Sequence, residues 1–165
     1  VIAHPHPLFG GTMENKVVQT LARGFVQAGW SALRFNFRGV GHSQGAYDEG
    51  RGEREDMLAV VRARAASGPL ALAGFSFGAF VAGSVAVRLC EQRRVEHLVL
   101  VGAAASRFDL EQVPTSLRPR TLLVHGEVDE TVPLSAVMDW ARPQNLPVTV
   151  LPLSLIHISE PTRPY

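Results

Sequence analysis

One cysteine, Cys90, stands in 165 residues. A single thiol excludes an internal disulfide and leaves no cysteine cluster for a metal. It falls in an apolar helical pattern, where a thiol packs as a small hydrophobe. The lack of disulfides fits a reducing compartment, and a cytoplasmic location is the expectation. An excess of charge of one sign is missing too. Sixteen Lys plus Arg against 15 Asp plus Glu leave a formal net charge of +1. That balance gives no reason to expect nucleic acid or an anionic membrane as partner. The tight pair Arg93-Arg94 reads as the solvated end of a helix. Repeats and low-complexity linkers are lacking, and the length suits one domain with a real core.

One uncharged run, residues 65–87, is long enough to cross a bilayer. Pro69 and Gly68, Gly74, Gly78 and Gly83 interrupt it, and it divides into strand, turn and helix. A buried α/β unit is the expectation. No signal peptide is visible, and the chain opens with Val1 in a strand pattern rather than with Met, so a missing N-terminal segment is expected.

What is present is alternation. "VIA", "SALRFNF" (31–37), "LALAGF" (70–75), "HLVLVGA", "TLLVHG" and "VTVL" (148–151) read as strands. Between them lie helical patterns. Val18, Leu21 and Phe25 recur at helical spacing, with Gly29 as a stop. Leu58, Val61 and Ala65 share the face of a second helix. "GAFVAGSVAVRLCEQ" and "LSAVMDWA" supply two more. Near-continuous apolar strands separated by helices predict a three-layer α/β sandwich with a mainly parallel sheet covered on both faces. Ligands then bind at the carboxyl ends of the strands.

The most informative loop follows Phe75. Gly74-Phe75-Ser76-Phe77-Gly78 is a G-x-S-x-G placed directly between a strand and a helix. A serine on so sharp a turn is strained, and its neighbours two residues either side approach each other too closely for a Cβ. Ser76 is thereby raised at the helix N-terminus as a candidate nucleophile. The Phe77 N–H points where an oxyanion would form. The blander alternative is a glycine-rich turn whose serine caps the helix.

With this elbow on a parallel sheet, the chain resembles the α/β-hydrolase superfamily. It is most similar to the small lid-less serine hydrolases of dienelactone-hydrolase or serine-aminopeptidase type, whose first loop reads "HPHPLFGGTMENKVV". The likeness runs from Val1 to about Pro152. It implies a triad in the order Ser, acid, His. "LLVHGEVDETVP" matches the acid loop and selects Asp129, although Glu127 and Glu130 are close by. The alternative for Asp129 is a carboxylate that satisfies turn amides. The first loop is implied to supply the second oxyanion donor. Pro5 and Pro7 lack an N–H, so the His6 amide is first choice and Leu8 second. His4 and His6 are read as bracing the loop through hydrogen bonds rather than as a metal pair. "RGVGHSQG" (38–45) fits the superfamily's supporting Arg-Gly-x-Gly-x-Ser loop. Its glycines Gly39, Gly41 and Gly45 make only a poor dinucleotide fingerprint. No cofactor or metal is called for.

The implied base is harder to place. His4, His6 and His42 lie in early loops. His97 precedes a strand, at the end of the sheet away from Ser76. His125 ends the acid's own strand, where it packs or hydrogen-bonds. His157 alone follows the last strand. Yet "LSLIHISEPTRPY" (153–165) departs from the family pattern, and Pro161 and Pro164 would break the helix that relatives place there. The string resembles translated sequencing adapter. The expectations are therefore a partial α/β-hydrolase domain over 1–152, lacking its first strands and terminal helix, and a non-native tail over 153–165. The base is then absent from the native part, and the chain as written is inactive. "SALRFNF" is expected as an exposed sheet edge. The parent is expected to cleave carboxylic esters or related small-molecule acyl compounds through an acyl-enzyme. A peptidase of the same fold, and a non-catalytic binding protein on a hydrolase scaffold, are the alternatives.

Overall fold

The strand Leu70–Phe75 is buried along its whole length because both of its faces are covered. Leu70 and Leu72 point into one apolar cluster, Ala73 and Phe75 into another. This is the period of two expected of a central strand. The computed structural model describes residues 1–152. Its parallel sheet runs β1 (Ile2–Ala3), β2 (Leu70–Phe75), β3 (Val95–Val101), β4 (Thr121–Gly126) and β5 (Val148–Leu151), in that spatial order. The helices are α1 (Lys16–Gln27), α2 (Arg51–Arg64), α3 (Phe77–Cys90) and α4 (Leu134–Ala141).

The same alternation continues outward. Leu98 and Leu100 of β3 and Leu123 of β4 join the face packed by α2 and α3. Val99, Val101 and Val124 join the face that holds Val17 and Val18 of α1. The expected three-layer α/β architecture is therefore the observed one. Residues 65–87 divide into β2 and α3 as the glycines require, and no described helix is long and apolar enough to cross a membrane.

Local signals set the helix ends. Asn15 caps α1 by accepting from the amides of Val17 at 2.9 Å and Val18 at 3.4 Å. Gly29 follows the helix at φ 88°, a left-handed conformation that suits glycine. At α2 the buried Glu53 carboxylate accepts from the amides of Asp48 and Gly50, each at 2.8 Å.

Three expectations need correction. Residues 31–37 do not form a strand. They make one isolated parallel bridge, Ile2 to Arg34, and one bond from Ile2 N to Leu33 O at 2.9 Å. β1 offers only two residues, so no ladder can extend. His97 does not precede β3 but lies within it, paired with Ala71 near the start of β2. It remains remote from the turn after Phe75. Arg93 is not simply solvated, since its guanidinium donates to Ala65 O and Gly68 O, each at 2.6 Å, and ties down the loop after α2. Arg94 pairs with Glu96 at 2.8 Å. Cys90 is half-buried against the main core, and burial pushes its thiol up, away from a reactive thiolate.

Candidate active site

Only Ser76 separates β2 from α3. It adopts φ 55° and ψ −115°, a conformation costly for a residue with a side chain, on the order of 1–3 kcal/mol. The surroundings enforce it. Ser76 N donates to Val101 O at 2.9 Å, while Ser76 O accepts from Ala79 N at 3.0 Å and Phe80 N at 3.3 Å. Gly74 and Gly78 make the approach possible. A Cβ on Gly74 would collide with the Gly78 carbonyl, and one on Gly78 with the carbonyls of Ala3 and His4. Ser76 occupies the N-cap position of α3, yet its hydroxyl makes no capping bond. The capping alternative is therefore not what the turn uses its serine for. The Phe77 amide, first in the helix, has no acceptor among the described residues.

A cavity of about 610 Å³ opens over this turn. Its floor is Phe75, Ser76 and Phe77, and the first loop contributes His6 and Phe9. The segment after β3 contributes Arg107 and Phe108, and the turn after β4 contributes Thr131 and Val132. Phe75, Phe77 and Phe9 are thus apolar walls. Phe77 is fully buried and centres an aromatic cluster, with ring centroids 5.0 Å from His6, 5.3 Å from Phe108 and 5.7 Å from Phe37.

Two histidines shape the first loop. His4 is fully buried; its Nε2 accepts from Phe37 N at 3.1 Å and its Nδ1 donates to Pro5 O at 2.7 Å. It braces the loop. His6 Nδ1 accepts from Leu8 N at 3.2 Å, which leaves the proton on Nε2, facing the Tyr47 hydroxyl at 3.1 Å. Burial holds both imidazoles below their usual range; the Pro5 carbonyl opposes this at His4 and the negative field of Glu53 at His6. The Leu8 amide is thus occupied. The His6 amide has no acceptor among the described residues, and His6 lines the cavity while Leu8 does not.

The loop 38–45 supports this region from behind. Arg38 is bidentate to Asp56, at 2.8 Å and 3.1 Å. Asn36 Oδ1 accepts from Met13 N at 2.9 Å and holds the first loop to this one. Ser43 Oγ donates to Asn36 O at 2.9 Å.

Asp129 sits in the turn after β4. Its Oδ1 accepts from the amides of Thr131 and Val132, each at 2.9 Å. It therefore organises the turn whose Thr131 and Val132 reach the cavity, and is not itself a lining residue. His125 is buried one residue before the strand ends, and its Nε2 donates to Val132 O at 2.8 Å, clamping the same turn. Its Nδ1 is buried without a partner among the described residues. His157 lies outside the described residues. Ser76, Phe77 and His6 are thus brought to one cavity, with Asp129 anchoring its rim. Sequence reasoning missed Tyr47, Arg107 and Phe108. The placement of 102–117 after a strand was the available signal, and no motif marked it.

A parallel sheet carrying a strained serine between the buried strand β2 and the helix α3 defines a protein of the serine-elbow α/β class. A family model for the thioesterase domain matches residues 55–131. A lid-less α/β serine hydrolase from Xanthomonas campestris superposes with a TM-score of 0.80 at 37% identity, over 93% of this chain and 69% of that one. An α/β serine hydrolase homologue from Coxiella burnetii gives 0.74 at 40% identity, over 93% and 73%. The chain belongs to the α/β-hydrolase superfamily. An uncharacterized protein of Rickettsia prowazekii is 34% identical over 146 residues, 84% of this chain. The chain spans 60% of the length of that relative.

Proposed function

We propose that the parent protein is a serine hydrolase of carboxylic esters or related acyl compounds, working through an acyl-enzyme, and that the chain as written is inactive. The observation that carries this reading is Ser76, held in a strained conformation at the floor of the cavity with no capping bond to spend its hydroxyl on. Its Oγ attacks the acyl carbonyl. The amides of Phe77 and His6, both without acceptors among the described residues, stabilise the tetrahedral oxyanion. In the parent, a histidine that residues 1–152 do not supply takes the serine proton and returns it to the leaving group. Asp129 orients that imidazole with the carboxylate oxygen the turn amides leave free. Water then releases the acid by the same route. The thioesterase model spans both Ser76 and Asp129, which favours thioesters among the acyl compounds.

A fluorophosphonate probe tests the nucleophile. On the expectation that 153–165 is foreign, the chain as written labels no better than Ser76→Ala. Replacing those residues with the corresponding C-terminal segment of the Xanthomonas relative should restore both labelling and ester hydrolysis. A folded hybrid that stays unlabelled defeats the proposal. Labelling of the original chain that disappears in His157→Ala would instead make His157 the base.

A further inference from the structure

We propose that Arg107 recognises a carboxylate or phosphate on the substrate, so that the site takes anionic acyl compounds in preference to neutral esters. This rests on the reading of the cavity as the acyl-substrate site.

The first observation is an imbalance of charge. Among the described residues that line the cavity, Arg107 is the one arginine and there is no carboxylate. Arg34, Arg38, Arg51, Arg54, Arg88 and Arg94 each hold a carboxylate of the chain, while Arg23, Arg62, Arg64, Arg93, Arg118, Arg120 and Arg142 hold none among the described residues but do not line this cavity. Among the described residues the Arg107 guanidinium has no such partner, although Asp109 is two residues away. Both nitrogens of His6 are engaged by Leu8 and Tyr47, so Arg107 is left as the cation of the site.

The second observation is that its position is fixed. Residues 103–113 form no regular element, yet they are pinned repeatedly. The amides of Arg107 and Phe108 both donate to Ala104 O at 3.0 Å. Phe108 stacks on Phe80 with centroids 4.7 Å apart and planes 17° apart. Trp140 Nε1 donates to Leu110 O at 3.1 Å, and Val113 N donates to Gln144 Oε1 at 2.7 Å. Ser84 on α3 and Arg54 on α2 both hold Glu111. The backbone at Arg107 is therefore held at the rim, with an exposed side chain free to close on a ligand.

The chemistry follows from the surroundings. A guanidinium presents paired N–H donors that match carboxylate and phosphate. Phe75 and Phe108 give the cavity apolar walls, and low-dielectric walls strengthen attraction to an anion. The substrate is thus an apolar body with an anionic group, its carbonyl over Ser76.

Binding to the full 165-residue chain tests this without turnover. Phenylacetate, phenyl phosphate and the neutral phenylacetamide are titrated by calorimetry and ligand-observed NMR. At least one anion should bind about tenfold more tightly than the amide. That preference should collapse to about twofold or less in Arg107→Gln, recover in part in Arg107→Lys, and weaken with added salt. The better anion assigns the group. Arg107 is exposed, so the variants should melt with the parent. Equal binding of all three ligands, a preference that survives Arg107→Gln, or no binding at millimolar concentration overturns the proposal. Anion preference without Ser76 labelling in the hybrid would strike the hydrolase reading alone. Labelling without anion preference would strike this inference alone.

Discussion

His4 Nε2 accepts the backbone N–H of Phe37 at 3.1 Å, while Nδ1 of the same ring donates to Pro5 O at 2.7 Å. One buried imidazole thereby ties the loop after β1 to the segment that leads into residues 38–45. The bonds suit the neutral ring only. A second proton, on Nε2, would face the Phe37 N–H.

Stability should therefore fall on acidification. Burial depresses the His4 pKa in the folded state, and His6 shifts the same way. Between the folded value and the ordinary 6.5 the unfolded chain binds more protons. The contribution is complete above the ordinary value and is lost as pH falls through the folded one. Urea midpoints should decline between about pH 6.5 and about pH 5.5, on top of the loss from the buried Val1 amine that begins near pH 8, and His4→Gln should shrink the part below about pH 6.5. A flat profile in the parent would contradict the assignment.

Three glycine positions make a matched set. Gly74→Ala and Gly78→Ala press a methyl into backbone carbonyls that cannot retreat, and each should cost about 3 kcal/mol or prevent folding. Gly24 lies on the exposed side of α1 with nothing near its missing Cβ. Gly24→Ala should stabilise by about 0.5–1 kcal/mol. Denaturant titration of the three variants checks the contrast.

Ser76 trades stability for its placement. Replacing it with glycine removes the cost of a side chain at φ 55° and should raise stability by about 1 kcal/mol. Ser76→Ala keeps the Cβ and should stay close to the parent. Calorimetric melting of both variants tests this, and equal shifts would argue against strain at the turn.

Glu53 is fully buried, and its carboxylate holds two amides ahead of α2. Glu53→Ala would leave the Asp48 and Gly50 N–H groups without acceptors, at about 2–3 kcal/mol. Glu53→Gln keeps one acceptor oxygen and should lose less. Urea midpoints rank the two variants.

Much of this was legible beforehand because the signals are local. β2, β4, β5 and α4 stand where their patterns place them, since a run such as Leu70–Phe75 is apolar on both faces only where both are covered. The serine turn was legible for a similar reason, because glycine at 74 and 78 is a steric requirement written two residues either side of Ser76. The 31–37 segment was misread because a strand is a property of a pair. Its alternating residues are strand-like, but its partner β1 is two residues long.

The sequence by itself determined the layered α/β plan, the strained serine and the turn at Asp129, each encoded within a few neighbouring residues. The tertiary structure decided what surrounds Ser76. It occupied the Leu8 amide with His6 Nδ1 and left the His6 amide without an acceptor among the described residues. It also set Phe108 against Phe80 and Arg107 on the rim. The cavity is lined by the first loop, the serine turn, the segment after β3 and the turn after β4, and no local pattern records which segments the packed sheet brings together.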